Sequence, residues 1–267
     1  MRVIALITAY NEELMIGPAL DHLMSQGAEV YLIDNESTDR TVEIARRYLG
    51  RGLLGVETLP RKGYFDLTSV LRREEERAKE LPGDWFMHHD ADEIRLAPPP
   101  YRTLAEGFAE VGRAGYNAVN FQEFVFVPTQ QVPNHEHPEF PRTMRHYYCL
   151  NPRPLHRLNA WKRTDAPVTL TDAHRVEFPG MRIFPEPFVL KHYICLSLPH
   201  AIRKYCGRQY SPAEVERGWH RKRSRLQPED FYLPDQSELK EVGPDGAVDA
   251  SEPSTRGLLF EGRRRRR

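Results

Sequence analysis

The chain has 267 residues, 40% of them hydrophobic, which is enough to bury a core and to make one elaborated domain the default reading. Lys plus Arg and Asp plus Glu each count 38, so the formal net charge is zero and no global field favours nucleic acid as a partner. Three cysteines, Cys149, Cys195 and Cys206, contain no CxxC pair, which argues against a disulfide framework or a zinc-thiolate site and for a reducing, cytoplasmic setting. In chain order, Val3–Ile7 is a nearly continuous apolar run, as a parallel strand buried on both faces requires, and is too short for a signal peptide or a span. Asn11 reads as an N-cap for a helix with Ile16, Leu20 and Leu23 on its apolar face, in which Pro18 either introduces a kink or marks a later start. Glu29–Asp34 is a second strand ending in a carboxylate. A polar turn follows, then a helix with Val42, Ile44, Ala45 and Tyr48, and a third strand within Leu53–Leu59. Asp66–Glu80 reads as a charged, solvent-facing helix, and Trp85–His88 as a fourth strand running into Asp90-Ala91-Asp92-Glu93.

Further on, the pattern predicts a helix over Leu104–Val111, a strand over Ala118–Val127 and a Pro- and His-rich loop over Pro128–Pro154. A strand at Phe188–Tyr193 and a basic helix within Pro199–Tyr210 follow, and periodicity is lost from Gln236. Five terminal arginines, Arg263–Arg267, read as a solvated basic tail, with a peripheral contact to an anionic membrane surface as the second reading. Strands alternating with helices imply right-handed βαβ units around a mostly parallel, Rossmann-like sheet flanked by helices. Such sheets bind ligands beyond the carboxyl ends of their strands. Three of these ends carry polar clusters, Thr8–Glu12, Asp34–Asp39 and His89–Glu93, which are expected to converge on one edge.

Asp90 and Asp92, one residue apart at a strand end, can face one divalent ion, and hard cations such as Mg²⁺ or Mn²⁺ share oxygen ligands with phosphates. Alone, such a pair is equally an acidic capping turn; its position beside two other polar strand ends favours a site. Asp34 can accept from a base or ribose, or cap its turn. His135 and His137 form an HxH pair, but in a Pro-rich loop without a carboxylate pattern they read as solvated. Trp161, Trp219 and Tyr147 read first as packing residues and second as platforms for an acceptor sugar.

Together ITAYNEE, VYLIDNESTDRT and DWFMHHDADEI resemble the family 2 glycosyltransferases of the GT-A fold, over about the first hundred residues and in the family's order. The later LKHYICLS resembles a bacterial subgroup with a His-Tyr pair after its last core strand. The resemblance implies a nucleotide-diphospho-sugar transferase. Ala9, Tyr10, Asn11 and Glu12 would border the nucleoside and Asp34 the base or ribose. Asp90 and Asp92 would form the DxD motif, with Asp92 the better ligand. His192 would be a distant ligand of the metal or pyrophosphate, with Lys204 in reach of the pyrophosphate. It implies a Mn²⁺ or Mg²⁺ cofactor, a nucleotide-sugar donor, and a glycan, lipid-linked or small-molecule acceptor met in the cytoplasm or at the inner membrane surface. An inverting transfer needs a base; Asp172 is the first candidate, then Glu177 and Glu123, with His174 as an assistant. The expected layout is a transferase domain over 1–235, with a nucleotide half to about residue 115 and an acceptor half over 116–235, and an Arg-tailed extension over 236–267. The alternatives are a sugar-phosphate nucleotidyltransferase, disfavoured because TAYNEE lacks the glycines of its phosphate loop, and a non-catalytic nucleotide-sugar-binding protein, disfavoured by the intact acidic pair.

Overall fold

A computed structural model of the chain describes residues 1–171 and 174–257. In chain order the elements are β1 (Val3–Ala9), α1 (Ile16–Ser25), β2 (Ala28–Asp34), α2 (Thr41–Arg46), β3 (Leu53–Thr58), α3 (Leu67–Glu80), β4 (Trp85–His89), β5 (Glu93–Leu96), α4 (Leu104–Arg113) and β6 (Ala118–Phe126). There follow α5 (Phe140–Thr143), β7 (His146–Leu150), β8 (Leu158–Lys162), β9 (Thr169–Thr171), β10 (Arg175–Glu177), β11 (Phe188–Tyr193), α6 (Leu198–Tyr205), α7 (Pro212–Glu216) and β12 (Lys240–Glu241). The expected α/β architecture with a helix-flanked parallel core is present. None of the helices among the described residues is long and apolar enough to cross a membrane.

The chain divides into two compact units that interleave in sequence. Unit 1 holds residues 1–60, 67–122 and 154–190; unit 2 holds 61–66, 123–153 and 191–267. Unit 1 contains the strand order β3-β2-β1-β4, all parallel, continued by β8 and β6 in antiparallel pairings. β1 is central, and Val3, Ile4, Ala5, Leu6, Ile7 and Ala9 are all buried, which explains its unbroken apolar run. The chain winds outward from β1 through β2 to β3 and then returns to the other side of β1 at β4. The switch point of the sheet therefore lies between the carboxyl ends of β1 and β4. Trp85, Phe108 and Phe188 stack in line, with centroids 4.9 and 5.4 Å apart and planes within 7°, and form the centre of the core beneath α4.

In unit 2 the last residues of β6 pair with β7, and β7 pairs with β12, so the stretch after Gln236 contributes a strand. Its apolar cluster includes Val125, Tyr148, Ile194, Ala201, Tyr205 and Phe231. The loop read as Pro- and His-rich over 128–154 contains α5 and β7. His135 corrects the solvated reading: it is buried and its Nδ1 lies 2.9 Å from Thr143 Oγ1. The segment 61–66 is tied into this unit by Phe65 N–H to Gln209 O and Ser211 N–H to Phe65 O, with the Arg208 guanidinium 4.3 Å above the Phe65 ring.

Two further expectations need correction. Asn11 is not an N-cap: α1 begins five residues later, after Met15, and Asn11 adopts a left-handed φ of 56°. The late start puts Pro18 in the first turn, where the missing N–H costs little, so it introduces no kink. Trp161 and Tyr147 are core residues. The first faces Phe86 across β8 and β4, and the second packs on Phe126 at 5.2 Å while its hydroxyl accepts from Asp249 N–H.

Candidate active site

The loops after β1, β2 and β3 are woven together at the carboxyl edge of unit 1. Asn35 N–H donates to Ala9 O at 2.8 Å, Leu59 N–H to Asp34 O at 2.7 Å, and the Asn35 side chain to Leu59 O at 2.8 Å. Asn11 spans two loops, with its N–H on Ser37 Oγ at 3.0 Å and its Oδ1 accepting from Thr38 N–H at 2.8 Å. Glu12 N–H donates to Thr41 Oγ1 at 2.8 Å. Asn11 and Glu36 both occupy the left-handed region, at 56° and 60°, which is unusual for non-glycine residues and recurs at ligand-binding turns. Asp34 is buried at the end of β2, and its carboxylate accepts from Ser37 N–H at 3.1 Å. Ala9 is buried and Tyr10 and Glu12 are half-buried along the same edge.

Beyond β4 the chain turns through the acidic sequence. Glu93 N–H returns to Asp90 O at 3.2 Å, and Asp90 N–H donates to Glu93 Oε2 at 3.2 Å, so the turn is closed by its own carboxylate. Asp92 is buried and Asp90 half-buried. Glu93 lies on the fully buried Arg95 and has Arg157 Nη1 3.5 Å from its other oxygen. Arg95 also donates to Asn159 at 2.8 Å, and Arg157 donates to His174 Nδ1 at 2.6 Å. Desolvation raises the Asp90 carboxyl above its ordinary value; the charges of Glu93 and Asp92 push the same way, against His88 and Arg157. Carboxylates crowded in this way hold repulsion that a divalent cation relieves.

The two histidines before the motif differ. Burial opposes charge on His88, but the adjacent Glu74 carboxylate outweighs it and raises the imidazole to about 9. For His89, burial and the charge of Arg95 outweigh the opposing pull of Glu93 and lower the imidazole to about 3, so it stays neutral. Glu74 was hidden in sequence among the charges of Arg72–Arg77. Its helical phase with Leu67, Val70, Leu71 and Ala78, the buried residues of α3, was the signal that could have found it. Arg95 and Arg157 carried no such signal.

Asp172 lies outside the described residues. Glu177 sits exposed at the end of β10, with Arg175 at 3.9 Å. In unit 2, Glu123 is buried and its Oε1 lies 2.5 Å from His192 Nδ1. Lys204 is half-buried on α6, whose N-cap is Ser197. The terminal arginines also lie outside the described residues.

Asp90 and Asp92 fit a hard cation by their oxygen donors. Among the described residues no group of three or more His, Cys, Asp or Glu side chains could hold a metal ion by itself.

No curated protein matches the chain. Among solved structures it is similar to TarS of S. aureus, at 13% identity over 86% of this chain and 45% of that one, with a TM-score of 0.45. A complex of TarS residues 1–349 with UDP-GlcNAc matches at 19% identity over 49% and 35% of the two chains, with a TM-score of 0.33. Glucosyl-3-phosphoglycerate synthase of Mycobacterium tuberculosis, bound to Mn²⁺, UDP and glucosyl-3-phosphoglycerate, matches at 22% identity over 46% and 44%, with a TM-score of 0.29. The chain thus spans less than half the length of each of these proteins. The family model described as glycosyl transferase family 2 matches residues 4–97. That segment runs from β1 through β5 and holds the woven loops, Asp34 and the acidic turn, so the likeness to this family rests on the part of the chain that carries the candidate site.

Proposed function

We propose that the chain is a glycosyltransferase that moves a sugar from a nucleotide-diphosphate donor to an acceptor hydroxyl, with a divalent cation and inversion at the anomeric carbon. The observation that carries the proposal is the meeting of the β1 loop, Asp34 and the acidic turn at the edge of the parallel sheet beside its switch point. The loop Ala9–Glu12 borders the nucleoside, and the buried Asp34 carboxylate orients base or ribose. Asp90 and Asp92 would hold Mn²⁺ or Mg²⁺ against the diphosphate. When bound, the cation would neutralise charge gathering on the departing nucleotide diphosphate. Asp172 is the first candidate for the base that takes the acceptor proton and Glu177 the second; His174, fixed by Arg157, orients the acceptor. Three cysteines without a disulfide fit a reducing, cytoplasmic compartment.

The test is donor hydrolysis across UDP-, GDP- and dTDP-sugars with Mn²⁺ or Mg²⁺. The expected result is release of nucleotide diphosphate from one donor class, abolished by EDTA and reduced about 100-fold or more in Asp92→Asn. Turnover that persists in EDTA, or an Asp92→Asn variant as active as the parent, overturns the proposal.

A further inference from the structure

A chain of polar groups runs through the interior of unit 1 from β1 to the acidic turn. Thr8 Oγ1 donates to Glu74 Oε1 at 2.9 Å. Glu74 Oε2 lies 2.6 Å from His88 Nδ1, and His88 Nε2 lies 3.9 Å from Asp90 Oδ1. Glu74 is completely buried and His88 is 2% exposed. Among the described residues His88 Nε2 has no hydrogen-bond partner. A buried carboxylate–imidazole pair costs desolvation, and apolar residues of similar volume would fill the same space more favourably. A buried ring nitrogen left without a hydrogen bond adds to that cost. Packing therefore does not account for this pair, and the nitrogen left over points at one of the two acidic residues of the motif.

We infer that His88 is a positioning residue: braced by Glu74 through Nδ1, it turns Nε2 toward Asp90 and holds that carboxylate in the orientation a divalent cation needs. The inference rests on the proposed role of Asp90 and Asp92 in holding the cation and diphosphate. A shift of about 1 Å in the Asp90 side chain brings Oδ1 to charge-assisted hydrogen-bond distance of Nε2. One Asp90 oxygen then stays on His88 and the other faces the ion. Thr8, at the end of β1, fixes Glu74 in turn, so the brace is anchored on the central strand beneath the nucleotide loop. Partners that orient a ligating side chain in this way typically carry a 10–100-fold share of metal affinity.

Two substitutions separate the two ring nitrogens. His88→Asn keeps an amide near the Nδ1 position, facing Glu74, and loses the edge that faces Asp90. His88→Gln keeps a donor near the Nε2 position and gives up the contact with Glu74. Mn²⁺ binding in the presence of UDP is measured by the electron paramagnetic resonance of the unbound ion, for the parent, Asp92→Asn, both His88 variants and Glu74→Gln. Near-ultraviolet circular dichroism checks that each is folded. The expected result is UDP-dependent Mn²⁺ binding by the parent, loss in Asp92→Asn, roughly tenfold or greater weakening in His88→Asn and Glu74→Gln, and a smaller loss than His88→Asn in His88→Gln, which keeps the donor facing Asp90 but not the brace. In turnover, the Mn²⁺ concentration at half-maximal rate rises in His88→Asn while kcat at saturating Mn²⁺ is preserved. If His88→Asn does not fold, Glu74→Gln, which leaves the imidazole in place, carries the same expectation. Parent-like Mn²⁺ affinity in both His88→Asn and Glu74→Gln, with Asp92→Asn still defective, overturns the positioning role alone. The reverse order, His88→Asn intact and His88→Gln defective, shows that only the pairing with Glu74 matters and overturns it too. Absence of UDP-dependent Mn²⁺ binding by the parent refutes the proposed function itself, and the positioning role with it.

Discussion

Asn11 shows how one side chain can serve a site without touching any reacting atom. It holds a backbone conformation that most L-residues avoid, and its amide joins the loop after β1 to the loop after β2. Asn11→Ala loses both the tolerance for positive φ and the link to Thr38, and is expected to cost about 1–2 kcal/mol in a urea melt. Asn11→Gly loses only the link and is expected to cost less. Equal costs for the two variants would show that the backbone there is not strained. Sequence alone exposed Asp34, Asp90 and Asp92 because each follows an apolar strand, where a charge is conspicuous. It did not expose Glu74, whose neighbours in the chain are also charged, nor the partnership of Glu123 with His192, which joins residues far apart in sequence.

At the level of elements, the parallel strands were legible because burial on both faces leaves unbroken apolar runs. The antiparallel strand β8 was not: Leu158–Lys162 mixes Asn, Trp and Lys, and its identity comes from pairing with β4 and β6 rather than from an alternating pattern. Helix α4 carries a sharper constraint than its periodicity suggests. A Cβ on Gly107 would lie 2.8 Å from the Phe188 ring and 2.9 Å from Ala97 Cβ. Gly107→Ala would gain about 1 kcal/mol in helix propensity, but overpacking against a fully buried ring stack costs about 1–3 kcal/mol. A lowered thermal midpoint is the expected net result, and a raised one would show that α4 can slide. In unit 2, the segment after α7 places His220 against Tyr210 at 4.7 Å and Phe65 at 5.7 Å, with Glu214 at 3.8 Å. Burial, reinforced by Arg223 and Arg208, lowers its pKa to about 4 from 6.5. Because the folded value is depressed, the unfolded chain binds the extra proton first. The contribution of His220 is intact above about pH 6.5 and is lost as pH falls toward 4. Chemical melts across that range should show a fall in stability that is shallower in His220→Asn; identical slopes would remove His220 as the cause.

At the scale of the whole molecule, the family segment is not a self-sufficient body. β4 is paired along its second edge by β8, with Trp85 opposite Lys162, Phe86 opposite Trp161 and Met87 opposite Ala160. A fragment ending at residue 97 would leave that edge and the Trp85 ring uncovered, and an open edge rich in aromatic residues favours association between chains. The fragment is expected to bind a hydrophobic dye and to elute as aggregates, whereas a monomer with a cooperative melt would show that β8 is dispensable. The first four strands were legible as strands along the chain, but their order across the sheet, with β4 beside β1, was not. It could not show that unit 1 is completed by residues 154–190, since closure by a distant segment leaves no local pattern.

The discontinuity of unit 1 also sets a timetable for its birth on the ribosome. β8 is finished about 70 residues after β4; at bacterial and eukaryotic translation rates of about 5–20 residues per second, the half-built sheet waits roughly 4–15 s for its last partner. Through that interval the nascent chain presents the aromatic edge of β4 to its surroundings, and a chaperone that shields it would raise the yield of folded protein without altering the finished molecule.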